Sequence, residues 1–327
     1  MTSSLGRGCW RPSQRLLFGS LSGDNANMPN LTALTNRQTK VDEVSKWGGG
    51  EETSSRRGIP RKVREEMRPI NVLHESSNVV IAGRHRCNNF DSNQYLIASK
   101  RSQECVLVDM ADDWPDDWVA FIKASGFTLR SIFFTHLHID NLLGALPLCQ
   151  MLPQTKVAFH MGDKVWLDRH RDVCERYRRQ DAADLPPAFW DPDLFMKQAQ
   201  EMPGLSNRHN GFLDLGDLLL FYIHTPGHSM GHCMLHVPRE KLLFTGDLLF
   251  YDAVGRVDLP YACGELLAQS LRSLEDFPDN TVLLPGHGRL STMGRERRKN
   301  RALQRVYEWI GIGKASPSVG FNDKGYF

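Results

Sequence analysis

Hydrophobic and polar positions divide the chain into two unequal regions. Over residues 1–68 the large apolar side chains are scattered among Ser, Gly, Asn, Thr and charges, with a Gly48-Gly49-Gly50 run. A segment of that composition buries too little apolar surface to offset its ordering entropy, so a disordered extension is expected there. From about Asn71 the pattern changes to short apolar runs bounded by turn residues. Runs at 78–82, 94–98, 104–109 and 129–134, rich in β-branched and aromatic residues, predict strands. Residues 116–124 set Trp118, Phe121 and Ile122 at helical spacing and stop just short of Gly126, which predicts a helix. Further helices are predicted at 141–152 and 264–277, and further strands at 218–223, 231–237, 241–245 and 281–284. Residues 163–205 read as mainly helical and polar, broken by Pro186-Pro187 and Pro192. Strands and helices alternate in two similar runs, which predicts a layered α/β architecture over residues 71–310, with 311–327 as a flexible tail.

Composition narrows the function classes. The 327 residues carry 40 Lys+Arg against 38 Asp+Glu, without the concentrated basic surface that nucleic acid binding requires. No apolar run approaches the ~18 residues of a membrane helix, so neither nucleic acid nor membrane is expected as a partner. Seven cysteines, odd in number and without a CxxC pair, argue against a disulfide framework or a thiolate zinc site and for a reducing compartment. The first 23 residues hold Arg7, Arg11 and Arg15, several serines and no acid before Asp24. That is the composition of an organellar transit peptide, which would send the protein to a mitochondrion or plastid; an ordinary basic tail would leave it cytoplasmic.

Histidine is distributed unevenly. Of twelve, seven fall in three stretches: His136 and His138; His224, His228, His232 and His236; and His287. Four segments share one design, an apolar strand followed by a turn and a side chain able to bind metal. They are SIFFTHLHIDN (131–141), LLLFYIHTPGH (218–228), KLLFTGD (241–247) and TVLLPGH (281–287). Strand ends of this kind can converge on one rim of a sheet while the strands hold them rigidly. His224 and His236, inside predicted strands, are expected to be packed core residues, and His232 to support a ligand rather than act as one. Tyr251 and Arg256 could face a substrate or serve the structure. The basic run 295–299 reads as a solvated helix face.

These motifs resemble those of the metallo-β-lactamase superfamily. Thr135-His-Leu-His-Ile-Asp-Asn141 is similar to its THxHxDH motif, Thr225-Pro-Gly-His-Ser-Met-Gly-His232 to TPGHTxGH, and Phe244-Thr-Gly-Asp247 and Pro285-Gly-His287 to FTGD and PGH. Within it, Gly255-Arg-Val-Asp-Leu-Pro260 and the PGHGR sequence resemble short-form, glyoxalase II-like hydrolases. The resemblance implies a four-layer αββα sandwich with the metal site at one edge of the paired sheets. It implies that His136, His138 and His228 hold a first metal, that Asp247 bridges, and that Asp140 and His287 serve a second. Zinc is the expected metal, one ion tightly bound and a second weakly; iron and manganese suit the same donors. Asn141 stands where the family has a His, and an amide is a poorer ligand than an imidazole. The implied activity is hydrolysis of a small-molecule thioester or ester, glutathione-linked in the best-known cases, by metal-bound hydroxide. Asp140, if free of a second metal, would act as catalytic base. A persulfide dioxygenase-like iron enzyme using His136, His228 and Asp247, and a non-catalytic relative, are the alternatives. The 163–205 segment would then lie over the metal as a lid or pack beside it. Nothing in the sequence sets the oligomeric state.

Overall fold

The computed structural model describes residues 69–309 apart from 113, 187–188 and 190–208. The expected N-terminal extension (1–68), the C-terminal tail and most of the 186–205 stretch, with Trp190 and Phe195, lie outside the described residues. Two six-stranded sheets form the frame. The first contains β1 (Asn71–Glu75), β2 (Val79–Arg84), β3 (Gln94–Ser99), β4 (Glu104–Val108), β5 (Thr128–Phe133) and β6 (Lys156–Ala158), ordered as in the sequence. Pairing is antiparallel up to β4 and parallel from β4 through β5 to β6. Its helices are α1 (Asp116–Ala124), α2 (Ala145–Met151), α3 (Lys164–Asp168) and α4 (His170–Arg176).

The second sheet contains β7 (Gly211–Asp214), β8 (Leu219–His224), β9 (Cys233–Val237) and β10 (Leu242–Gly246). A small ribbon follows, β11 (Leu249–Phe250) with β12 (Ala253–Val254), then helix α5 (Gly264–Arg272). Strands β13 (Val282–Pro285) and β14 (Ser291–Thr292) complete the sheet in the order β14-β13-β10-β9-β8-β7. Helices α6 (Met293–Lys299) and α7 (Arg301–Trp309) close the described chain.

Strand alternation explains the layering. In β2, Val79 and Ile81 enter a core shared with the second sheet, whereas Val80 and Ala82 join a core under the first sheet's helices. The shared core runs from Tyr95, Val106 and Phe133 across to Leu220, Leu235, Phe244 and Leu284. On the far side, Met234, Leu243 and Leu283 pack against Leu267 and Leu271 of α5 and Leu303 and Val306 of α7. Helices therefore cover both outer faces, giving the expected αββα sandwich. Central strands buried on both faces read as continuous apolar runs, which is why β2, β3 and β4 stood out in the sequence.

Two expectations need correction in detail. The helix expected at 141–152 begins at Ala145, because Ile139–Asn141 forms a 3-10 turn first. The helix expected to reach 277 ends at Arg272 and continues as a 3-10 turn, Ser273–Asp276. The basic run of α6 is exposed at Arg298 and Lys299, as a solvated face requires, and its arginines pair with acids: Arg295 with Asp252, and Arg297 and Arg298 with Asp279.

Candidate metal centre

All six sequence-predicted ligand residues arrive at the C-terminal ends of strands, at the edge where the two sheets meet. His136, His138 and Asp140 follow β5 of the first sheet; His228, Asp247 and His287 follow β8, β10 and β13 of the second. Backbone bonds stitch the sheets at this edge, from Cys233 N–H to the Thr135 carbonyl at 2.7 Å and from Asn93 N–H to the Gly286 carbonyl at 2.6 Å. Two glycines are needed by this crowding. Gly246 has φ +48°, and a Cβ there would lie 2.6 Å from His232 Nε2; a Cβ on Gly286 would lie 2.3 Å from Asp247 Oδ1.

His136, His138 and His228 are buried, and one nitrogen from each lies within 4.8 Å of the others. His228 Nε2 faces His138 Nδ1 at 2.9 Å, and its own Nδ1–H donates to the Arg256 carbonyl at 2.9 Å, which leaves Nε2 with its lone pair. His136 Nδ1 lies 3.1 Å from Thr135 Oγ1, whose hydroxyl donates to Asp109; His136 Nε2 lies 3.9 Å from Asp247 Oδ2. Burial, then the neighbouring imidazoles, push His136 well below the usual histidine range, and the same two causes bring His138 down to about 3. Both are therefore neutral, the form that ligates metal. Asp247 Oδ1 is buried without a hydrogen-bond partner, while Oδ2 is 3.4 Å from His228 Nε2 and 3.5 Å from His287 Nε2. Three imidazoles and a carboxylate with one orphaned oxygen, gathered in one buried pocket, fit a zinc-class cation.

Asp140 and His287 meet beside this group, with Asp140 Oδ2 3.1 Å from His287 Nε2. Burial would lower His287, but the Asp247 charge and then the bonds to Asp140 and Asp247 outweigh it and hold it up at about 11. The same His287 charge holds Asp247 well below the usual carboxylate range against its burial. A second cation entering between Asp140 and His287 would have to displace a proton. Asn141 does not join that pair: its amide nitrogen lies 3.1 Å from His136 Nδ1 and 3.3 Å from Nε2.

Several residues that shape the site have no local signal in the sequence. Asp163, fully buried between β6 and α3, accepts from Leu137 N–H at 3.0 Å, Ser229 Oγ–H at 2.8 Å and Gly231 N–H at 2.6 Å. One carboxylate thus ties the loop of His136 and His138 to the loop of His228. Ser92 donates to Asp140 at 3.1 Å, and Asn88 donates to the Asp140 carbonyl at 2.8 Å; both come from the β2–β3 loop. The Trp166 ring stands edge-on to His138, centroids 4.6 Å apart. His232 takes its expected supporting role, with Nε2 accepting from Asp247 N–H at 2.9 Å and Nδ1 meeting Thr225 Oγ1 at 2.8 Å. The Arg256 guanidinium pairs with Asp258, and Tyr251 lies under Arg295 at 3.5 Å.

A family model described as the metallo-beta-lactamase superfamily matches residues 87–287, which include every candidate ligand. The hydroxyacylglutathione hydrolase GloC of Haemophilus influenzae is 28% identical over 185 residues, covering 56% of this chain and 79% of the relative. The B3 metallo-beta-lactamase BLEG-1 superposes with TM-score 0.55 at 26% identity, covering 67% of this chain and 97% of that one. TTHA1623 in a di-iron-bound form superposes with TM-score 0.51 at 30% identity, covering 65% and 96%.

Proposed function

The chain belongs to the metallo-beta-lactamase superfamily, and from that premise we propose that it is a metal-dependent hydrolase of thioesters or related small-molecule esters. One observation carries the reading: three histidines and Asp247 converge in a buried pocket whose rim also holds Asp140 and His287. Likeness to a hydroxyacylglutathione hydrolase favours an ester-type carbonyl. His136, His138 and His228 would hold the cation, with Asp247 completing the set. When bound, a cation of this class polarises a carbonyl oxygen and lowers the pKa of water toward neutrality.

The chain's own groups supply the rest. Asp140, aligned by Ser92 and anchored through its backbone to Asn88, is placed to orient an attacking water and accept its proton. His287 shares that proton network through Asp140 and can return it to the leaving thiolate. Trp166 excludes water on the His138 side.

The test combines metal analysis with turnover. Purified protein should contain zinc, iron or manganese near stoichiometry and hydrolyse an acylated thiol. His228→Ala should lose both while keeping its circular dichroism spectrum, because a loop ligand contributes little to the core. A folded, metal-free wild type would overturn the proposal, and oxygen consumption with a persulfide but no hydrolysis would replace it with the dioxygenase reading.

A further inference from the structure

Beyond the cover that Trp166 gives His138, one side of the site carries features the hydrolytic chemistry does not use. Trp166 is buried against His138, yet its indole N–H has no hydrogen-bond partner. Tyr261 packs edge-on against Trp166, centroids 5.6 Å apart, and the residue is 44% exposed. Its hydroxyl accepts from Arg169 Nη1 at 2.9 Å, and the Arg169 guanidinium lies 5.8 Å from its ring. Metal ligand, indole, phenol and guanidinium thus follow one another outward through three contacts.

Tyr261 is held there at a conformational cost. Leu259-Pro260-Tyr261-Ala262 forms a turn, with Ala262 N–H bonded to the Leu259 carbonyl at 3.1 Å, and Tyr261 has φ +66°. Proline at the second position and a positive φ at the third are the type II pattern, where glycine or asparagine ordinarily stands. An aromatic residue in that conformation is uncommon and strained, and such strain collects where a side chain must be presented in one place.

Charge and exposure agree with this. Arg169 sits between α3 and α4, where its neighbour Asp168 is taken by Lys164 and Arg169 itself forms no ion pair with a described residue. Its bond to a neutral phenol leaves the guanidinium with donors to spare. The most exposed large apolar side chains among the described residues include Tyr261, Met161 and Met230. Met230 is two residues from His228, and Met161 adjoins Gly162, where a Cβ would lie 2.6 Å from the Met230 carbonyl.

We propose that Trp166, Tyr261 and Arg169 form a specificity wall that selects substrates carrying an anionic group beyond an apolar stretch next to the reacting carbonyl. This rests on the hydrolase reading above. The apolar stretch lies on the two aromatic rings, and the anion meets Arg169, whose planar fork suits a carboxylate. That anion can belong to the acyl group or to the thiol carrier.

Three thioesters separate the sources: S-succinyl-N-acetylcysteamine (anionic acyl), the S-acetyl ester of 3-mercaptopropionate (anionic thiol) and S-pentanoyl-N-acetylcysteamine (neutral). In Arg169→Ala the KM for one anionic thioester should rise about tenfold, the size expected of one charge-assisted hydrogen bond. Its kcat and the neutral thioester's KM should move less than about twofold, and Arg169→Lys should recover part of the loss. Calorimetric binding of the corresponding thioethers reads the same preference without turnover. If the wild type hydrolyses none of the esters but an anionic thioether binds about tenfold more weakly to Arg169→Ala, the wall stands and the hydrolase reading falls. If hydrolysis proceeds and neither KM nor affinity separates anionic from neutral compounds, or all three shift alike in Arg169→Ala, the wall is wrong.

Discussion

At the scale of single residues, Asp163 and Asn141 decide how the site holds metal. Asp163 uses both oxygens to hold donors that lie next to all three histidines. Asp163→Asn keeps the shape but removes one acceptor and the charge. Supporting changes of this kind commonly cost 10–100-fold in metal affinity, so a loss of about that size is expected in chelator competition. Urea unfolding of the metal-free variant should show a loss of about 1–3 kcal/mol, the cost of a buried donor left unpaired. Unchanged metal affinity would mean that the two ligand loops hold themselves. For Asn141 the expectation is one tightly held metal per chain in the wild type, since its amide lies against His136 rather than beside Asp140 and His287. Asn141→His, which restores an imidazole where the family places one, should raise the stoichiometry toward two. Two tightly bound metals in the unmodified protein would refute this account of Asn141.

Among the elements, the ends of β6 and β8 meet through a histidine pair. The rings of His160 and His224 stack with centroids 3.8 Å apart; His160 Nδ1 accepts from Gly162 N–H, and His224 Nε2 donates to the Met230 carbonyl. Burial first, then the His224 ring, lowers His160 to about 4, and burial lowers His224 despite the Met230 bond and the Asp163 charge. Both are depressed relative to the unfolded chain, which therefore binds more protons as the pH falls below 6.5. The stability they contribute is complete above that pH and is lost on the way down to about 4. The fall in Tm between pH 7 and pH 5 should be smaller in His160→Gln than in the wild type, measured by differential scanning calorimetry; equal falls would assign the pair no part in acid sensitivity. This pair also marks what the sequence could show. His224 stood in a predicted strand, but His160 had no motif around it and β6 is only three residues long and offers no run to detect, so its apposition to β8 was not legible. The same holds for Asp163 and Ser92, which tertiary contact alone brings to the site. By contrast β2, β3, β4 and α1 were legible because buried faces write continuous or periodic apolar patterns. The six ligand-type residues were legible because each closes such a run.

For the molecule as a whole, the site joins two halves that also meet through the shared core, backbone bonds and side-chain contacts such as Tyr95 with the Pro285 carbonyl and His74 with Glu240. Three ligand-type residues come from the first sheet and three from the second. A cation held by His136 and His138 on one side and His228 and Asp247 on the other would tie the sheets together at this edge, as the His74–Glu240 and Ser99–Asp217 bonds do elsewhere. The unfolded chain cannot preserve that arrangement, so binding favours the folded state by RT ln(1 + [L]/Kd), about 2.7 kcal/mol at one hundred times Kd. Chelation should therefore lower Tm by several degrees, in one transition rather than two, because residues such as Phe244 and Tyr95 bind both sheets into a single core. Phe244→Ala, opening that core, should cost about 3–5 kcal/mol and shift the metal-loaded and metal-free transitions alike. Two resolved transitions after chelation would show instead that the sheets unfold separately and that the metal, not the core between them, makes them one unit.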